Sequence, residues 1–219
     1  MERTQKHDYT EKERVAIKVI ILSGFLGSGK TSVLMQLARH LVETSNGNEN
    51  DKKVVIIENE IGTAGIDNLL LENEDFTVKN LFAGCACCTS SAKLTDTVDY
   101  LSKEYSPEWI IIEATGLAFP SKIKSTVETE LGMQAMTIIV VDAKRWFRLV
   151  GAMENFVSEQ LEDTKSVLVN KIDLVDETTV EKVQESIRKY NRDAYCYPIS
   201  ATNELSTGFW NDLFEKAGI

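Results

Sequence analysis

The octapeptide Gly24-Phe25-Leu26-Gly27-Ser28-Gly29-Lys30-Thr31 constrains this chain more than any other stretch. It fits G-x-x-x-x-G-K-[ST] and stands directly after an apolar run and directly before a helical pattern. Glycines in such a loop let the backbone turn its N–H groups inward around a phosphate, and the start of the next helix adds partial positive charge. Lys30 can neutralise phosphate oxygens and the Thr31 hydroxyl can ligate Mg²⁺. The phosphate-contacting set read from the loop is therefore Gly24, Gly27, Ser28, Gly29, Lys30, Thr31 and the adjoining Ser32.

The remaining pattern agrees with that opening. Short β-branched runs at residues 15–22, 54–58, 76–81, 109–114, 136–142, 166–170 and 194–199 alternate with helical spacing at 31–42, 91–103, 119–130, 153–161, 177–190 and 207–216. Alternation of this kind predicts a three-layer α/β domain of the P-loop NTPase type, with a mostly parallel central sheet of about seven strands. The length of 219 residues, 43% of them hydrophobic, suits one such domain. Residues 1–13 are polar and without hydrophobic period, so a flexible tail followed by a nucleotide domain over 14–219 is expected. Residues 59–75 form a long connection of the kind that is usually functional or mobile. Trp146, Phe147, Phe209, Trp210 and Cys196 read as core or helix-packing residues, and His7 and His40 as solvated.

Charge narrows the partners. Lys plus Arg total 24 against 34 Asp plus Glu, a net charge of −10, which argues against a broad electropositive face for nucleic acid. The sequence has no apolar run long enough to span a bilayer and its first residues lack the apolar core of a secretory signal, so a cytoplasmic protein without membrane contact is expected. Of four cysteines, Cys85, Cys87 and Cys88 fall too close together for an ordinary disulfide framework and point to thiol or metal chemistry.

Asn170-Lys171-Ile172-Asp173 places N-K-x-D at the end of a strand, where open α/β sheets bind ligands. Asp173 can accept from both N1 and the exocyclic amine of guanine, a pattern adenine lacks, so the expected ligand is GTP or GDP. Ser200 and Ala201, after the last strand, are candidates to close over the base edge through their backbone N–H groups. Glu113 ends a buried strand; it reads either as a ligand holding Mg²⁺ through a water or as an acid capping the next helix. Gly116 can sense a γ-phosphate by its N–H.

The loop SGFLGSGKT, the segment Glu58-Asn59-Glu60-Ile61-Gly62, the run Gly84-Cys85-Ala86-Cys87-Cys88, the acid in IIIEATGLAFP and the NKID run together resemble the CobW-type GTPases. The resemblance implies a metallochaperone that couples GTP state to delivery of zinc, cobalt or related ions, related to the nickel-insertion GTPases of hydrogenase and urease maturation. Where the family pattern carries a further glutamate after its Glu-Asn-Glu-Phe-Gly, this chain has Thr63, and it ends soon after residue 216 where family members commonly add a C-terminal α/β domain.

Apart from the resemblance, a cysteine cluster between a strand and a helix start favours thiolates. Cys87 and Cys88 crowd each other, leaving two or three thiolates for one ion and a shell that outside ligands complete, with Glu58 the best local candidate. A packed or redox-sensitive cluster is the other reading.

Attack of water on the γ-phosphate is the expected reaction, with Lys30, Thr31, Glu113 and Gly116 as its residues. No glutamine follows Gly116 to orient water, so turnover on the order of 10⁻⁴ to 10⁻² per second is expected. Arg145 or Arg148 could act across a nucleotide-dependent homodimer. Nucleotide contact could order residues 59–75 and bring Glu58 or Glu60 towards Cys85 and Cys87, coupling GTP to Zn²⁺ or Co²⁺ binding for a client metalloprotein. The alternative is a GTP-dependent switch that activates a metalloenzyme or corrinoid protein without carrying metal.

Overall fold

The computed structural model describes residues 17–44, 54–58, 76–80 and 91–219. The expected tail over 1–13, Glu60, Thr63 and the cysteines Cys85, Cys87 and Cys88 lie outside the described residues.

Among the described residues, seven strands form one sheet: β1 (Lys18–Gly24), β2 (Val54–Glu58), β3 (Phe76–Asn80), β4 (Trp109–Glu113), β5 (Gln134–Asp142), β6 (Ser166–Asn170) and β7 (Tyr195–Pro198). Their spatial order is β3-β2-β4-β1-β5-β6-β7 and every hydrogen-bonded pair runs parallel. Helices α1 (Lys30–Thr44), α2 (Ser91–Tyr105), α3 (Pro120–Leu131), α4 (Trp146–Leu161), α5 (Glu177–Tyr190) and α6 (Thr207–Ala217) supply the covering layers. A parallel sheet covered on both sides needs strands that are apolar on both faces, which is why Val19 to Leu22 and Ile110 to Ile112 read as unbroken β-branched and leucine runs.

Strand alternation divides the core into layers. Ile20, Leu22, Ile56, Ile111 and Ile138 pack against α1 and α6 through Leu34, Leu37, Leu41, Trp210 and Leu213. Val19, Ile21, Val55 and Ile110 face α2 and α3 through Val98, Leu101 and Val127. Ile139, Val141, Val167 and Val169 meet Trp146, Val157 and Leu161 of α4 and Val183 and Ile187 of α5. The three-layer expectation holds. Because β4 and β5 flank β1, the chain reverses its direction of travel across the sheet there, and the crevice at such a reversal is where open α/β sheets hold ligands.

Three local expectations are corrected. Helix α4 starts at Trp146 rather than at 153, because Met153 is a kink with φ −145° and ψ 43°, and the regular helical spacing visible in the sequence resumes only there. His40 is buried, not solvated: it stacks on Trp210 and Phe214 with ring centroids 6.0 Å away in each case. Burial lowers its pKa, with Glu43 acting in the opposite direction, so the ring sits in the core in its neutral form. Phe147 is half exposed, whereas Trp146 beside it is fully buried. Among the described residues, no helix is long and apolar enough to cross a membrane.

Candidate nucleotide site

The glycine loop leaves the end of β1 in the centre of the sheet and enters α1, so its backbone lies over the crevice between β4 and β5. Gly29 has φ +98°, and a Cβ there would collide with Asn170 Nδ2; only glycine lets the two loops approach this closely. Ser28 N–H donates to Phe25 O at 3.0 Å, closing the turn. Lys30 Nζ curls back over the loop and donates to Gly24 O at 2.8 Å and Phe25 O at 3.4 Å. The Thr31 and Ser32 side chains, in the first turn of α1, are exposed.

The loop after β6 is fastened to this one. Asn170 is 2% exposed; its Nδ2 donates to Ser28 O at 2.8 Å, while its Oδ1 accepts from Lys171 N at 2.8 Å and Ala201 N at 2.9 Å. One side chain thus joins the phosphate loop, the N-K-x-D loop and the segment after β7. Lys171, in the left-handed region at φ +65°, sends its Nζ to Gly27 O at 2.6 Å and to Asp142 Oδ2 at 2.8 Å. Asp173 is exposed at the rim, where its Oδ1 accepts from Ser200 Oγ at 2.6 Å. The Ala201 N–H, expected to meet a base edge, is instead committed to Asn170 Oδ1.

Asp142, at the end of β5, carries the charge balance of this corner. It is 8% exposed and accepts from Lys171 Nζ, from Arg145 Nε at 2.8 Å and from Arg145 N at 3.1 Å. Burial works to raise its pKa, but the hydrogen bonds from Lys171 and Arg145, with the Lys171 charge, outweigh it and hold the carboxyl below its ordinary value.

On the other side of β1, Glu58 and Glu113 end β2 and β4 as register partners, each 5% exposed. They share the parity of Ile56 and Ile111, whose side chains pack with α1, so both carboxylates lie on the face that carries Thr31. Two buried carboxylates abreast favour a cation beside them, and carboxylate and hydroxyl oxygens are the hard donors that Mg²⁺ takes. Gly116 follows β4, and a Cβ there would stand 3.1 Å from Leu26 N, which puts the Gly116 backbone against the phosphate loop. Gln160 of α4 holds that segment, donating to Ala118 O at 2.7 Å and Gly116 O at 3.3 Å.

The phosphate loop, the strand-end acids Glu58 and Glu113 and the N-K-x-D run, in this order along the chain, fall within a match to the family model for the CobW/HypB/UreG nucleotide-binding domain over residues 18–198. The chain belongs to this family. Its relatives include the zinc-regulated GTPase metalloprotein activator 1 of Dictyostelium discoideum, 29% identical over 249 residues, covering 92% of this chain and 50% of that protein. The zinc chaperone YjiA of Escherichia coli (strain K12) is 30% identical over 194 residues, covering 84% of this chain and 58% of the relative. The chain thus spans about half the length of the curated relatives it matches. Among solved structures, HypB from Helicobacter pylori in complex with nickel has the same fold, with a TM-score of 0.63, 24% identity, and coverage of 92% of this chain and 87% of that one.

The CobW/HypB/UreG match contains every quoted motif but ends before Ser200 and Ala201. Of the expected site residues, the structure brings the phosphate loop, Asn170, Lys171, Asp173, Ser200 and Ala201 into one connected network, and sets Glu58, Glu113 and Gly116 on the opposite flank of β1. Glu60 and the three clustered cysteines lie outside the described residues, among which no group of three or more His, Cys, Asp or Glu is placed to hold a metal ion. Sequence reading passed over Asp142, Gln36 and Gln160. Asp142 carried a usable signal, an acid closing an apolar strand at its C-terminal end; the two glutamines carried none.

Proposed function

We propose that this chain is a GTPase module that couples its nucleotide state to the handling of a transition metal for a client metalloprotein in the cytoplasm. The observation that carries the guanine reading is Asn170, whose buried amide ties the phosphate loop to the loop bearing Asp173 and to Ser200–Ala201. Guanine, with adjacent N1 and amine donors, offers Asp173 a pair of hydrogen bonds that adenine lacks.

In this reading Lys30 exchanges its loop carbonyls for phosphate oxygens, and the backbone N–H groups of Gly27, Gly29, Lys30 and Thr31 receive the rest of the phosphate charge. Thr31 and, through water, Glu113 would hold Mg²⁺, which when bound neutralises charge on the phosphoryl group being transferred. The packing of Gly116 against Leu26 N supports a role for Gly116 in sensing the γ-phosphate, and Gln160 ties the same segment to α4. Slow hydrolysis is expected, since Leu117 rather than a glutamine follows Gly116. Excess GDP, but not ADP, is expected to displace a fluorescent GTP analogue; equal displacement by ADP would refute the guanine assignment.

Zn²⁺ or Co²⁺ is the cargo, bound by Cys85, Cys87 and Cys88 with Glu58 or Glu60 completing the shell. The names of the zinc-chaperone and metalloprotein-activator relatives support this class of cargo and client. Glu58 precedes Glu60 in the chain and is the register partner of Glu113, which supports a coupling between nucleotide and cargo. Metal-to-protein stoichiometry measured with GDP and with a GTP analogue tests the coupling, equal affinity in both states counting against it. Thr63, in place of a family glutamate, favours a second reading in which the module switches a metalloenzyme or corrinoid protein without carrying metal. Cys85→Ser with Cys87→Ser separates the two: a carrier loses metal and keeps GTP hydrolysis, whereas a switch shows unaltered metal uptake.

A further inference from the structure

A trans peptide holds its C=O and the following N–H in one plane, pointing opposite ways, so whatever grips the carbonyl also aims the N–H. Three successive carbonyls of the phosphate loop are gripped by side chains from outside it. Arg145 Nη2 donates to Leu26 O at 2.8 Å, Lys171 Nζ to Gly27 O at 2.6 Å and Asn170 Nδ2 to Ser28 O at 2.8 Å. Lys171 and Asn170 belong to the N-K-x-D loop, whereas Arg145 comes from the junction of β5 and α4, outside all of the motifs.

The arginine is nonetheless rigidly placed. Asp142, buried at the end of β5, takes its Nε–H and its backbone N–H, and the same Oδ2 accepts Lys171, so a single carboxylate locates both cations over the loop. Gly27 has φ +71°, and a Cβ there would stand 2.9 Å from Arg145 Nη2; the glycine leaves the room in which the guanidinium lies against the backbone. These contacts are made within one chain.

We propose that Arg145 is a positioning residue for phosphate recognition: by fixing the Leu26 carbonyl it turns the Gly27 N–H into the hollow of the loop, towards the β-phosphate of a bound nucleotide. The inference rests on the guanine-nucleotide reading above and adds to it a residue outside all of the motifs. Asp142 serves as its anchor, and the charge-assisted bond to Leu26 O keeps the peptide from rotating when no phosphate is present.

The test is binding of GDP, GMP and ADP to the full chain and to Arg145→Ala, by calorimetry, with melting temperature followed in parallel. Arg145 is half exposed, so the variant is expected to melt within a few degrees of the parent. One charge-assisted hydrogen bond corresponds to roughly a tenfold loss of GDP affinity, while GMP, which has no β-phosphate, is expected to bind both proteins alike. Unchanged GDP affinity in the variant overturns the proposal, as does an equal loss for GMP and GDP, which would assign Arg145 to the integrity of the whole pocket. A parent protein that does not prefer GDP to ADP would overturn the guanine reading instead, and the two failures are thereby told apart.

Discussion

The two flanks of β1 meet the same crevice with opposite chemistry. Towards β5 and β6, Arg145, Lys171 and the Asn170 amide donate into the carbonyls of the phosphate loop, and a buried carboxylate, Asp142, sits behind them. Towards β4 and β2, the strand ends present carboxylates, Glu113 and Glu58, on the α1 face. The cationic flank has its donors tied to loop carbonyls and to Asp142, which suits recognition of a fixed anion. The anionic flank gathers hard oxygen donors and then leads, through Glu58, into the stretch that carries the cysteines. In the function proposed above, fixed donors on one side and abreast carboxylates on the other serve a nucleotide held firmly while a metal is exchanged.

The sharpest way to break this division is Asn170→Ala. It removes three hydrogen bonds at once and leaves Ser28 O and Ala201 N without their partner, so a loss of about 3 kcal/mol in stability is expected. GDP and GMP should weaken together, because the base segment and the phosphate loop lose their common fastening. Denaturant unfolding and calorimetry on one preparation check both; a variant of parental stability would mean that the two loops hold their positions independently.

Next in size is the pair Glu113→Gln and Glu58→Gln, which probes the anionic flank by charge alone. Glu113→Gln is expected to lower Mg²⁺-dependent GTP hydrolysis roughly a hundredfold, about 2.7 kcal/mol of barrier, with GDP affinity nearly kept. Glu58→Gln should leave hydrolysis within a few-fold and lower Zn²⁺ affinity. Identical phenotypes would merge the two carboxylates into one function.

Much of this arrangement was legible in the sequence, and the exceptions share a cause. Strand runs such as Ile110 to Ile112 and the phosphate loop are local patterns, and local patterns survive in a linear text. The register that sets Glu58 beside Glu113 is a property of β2 and β4 together, and 54 intervening residues separate the two acids in the chain. His40 looked like a lone polar residue on a helix because its partners Trp210 and Phe214 come from α6, at the far end of the sequence. Gln36 holds the base segment by donating to Ala201 O and Asn203 O and accepting from Leu205 N, and no spacing announces that. The start of α4 was lost because the break at Met153 resets the helical phase.

Acid titration offers a smaller effect on the cationic flank. Asp142 has a lower pKa in the folded chain than in the unfolded one, so its contribution is fully present above the ordinary carboxylate range, near pH 4, and is lost as pH falls through the depressed folded value. Melting temperature of the parent should therefore fall faster than that of Asp142→Asn below about pH 4, and the two curves should run parallel above pH 6. Parallel curves throughout would mean that Lys171 and Arg145 do not hold the carboxylate ionised.

The smallest expected effect asks whether burial, rather than short distance, gives the Asp142 corner its value. Lys103 Nζ lies 2.6 Å from Asp99 Oδ2 on α2, closer than Lys171 Nζ lies to Asp142 Oδ2 at 2.8 Å. The α2 pair, however, is 73% and 48% exposed, whereas Asp142 is 7% exposed by its side chain. Water screens the first pair and holding two long side chains together costs entropy, so Asp99→Ala should change stability by no more than about 0.5 kcal/mol. Asp142→Ala leaves two cations facing loop carbonyls without their counter-charge and should cost several times as much. Equal losses from the two substitutions, read in the same denaturant titration, would strip the buried carboxylate of any special place in organising the phosphate loop.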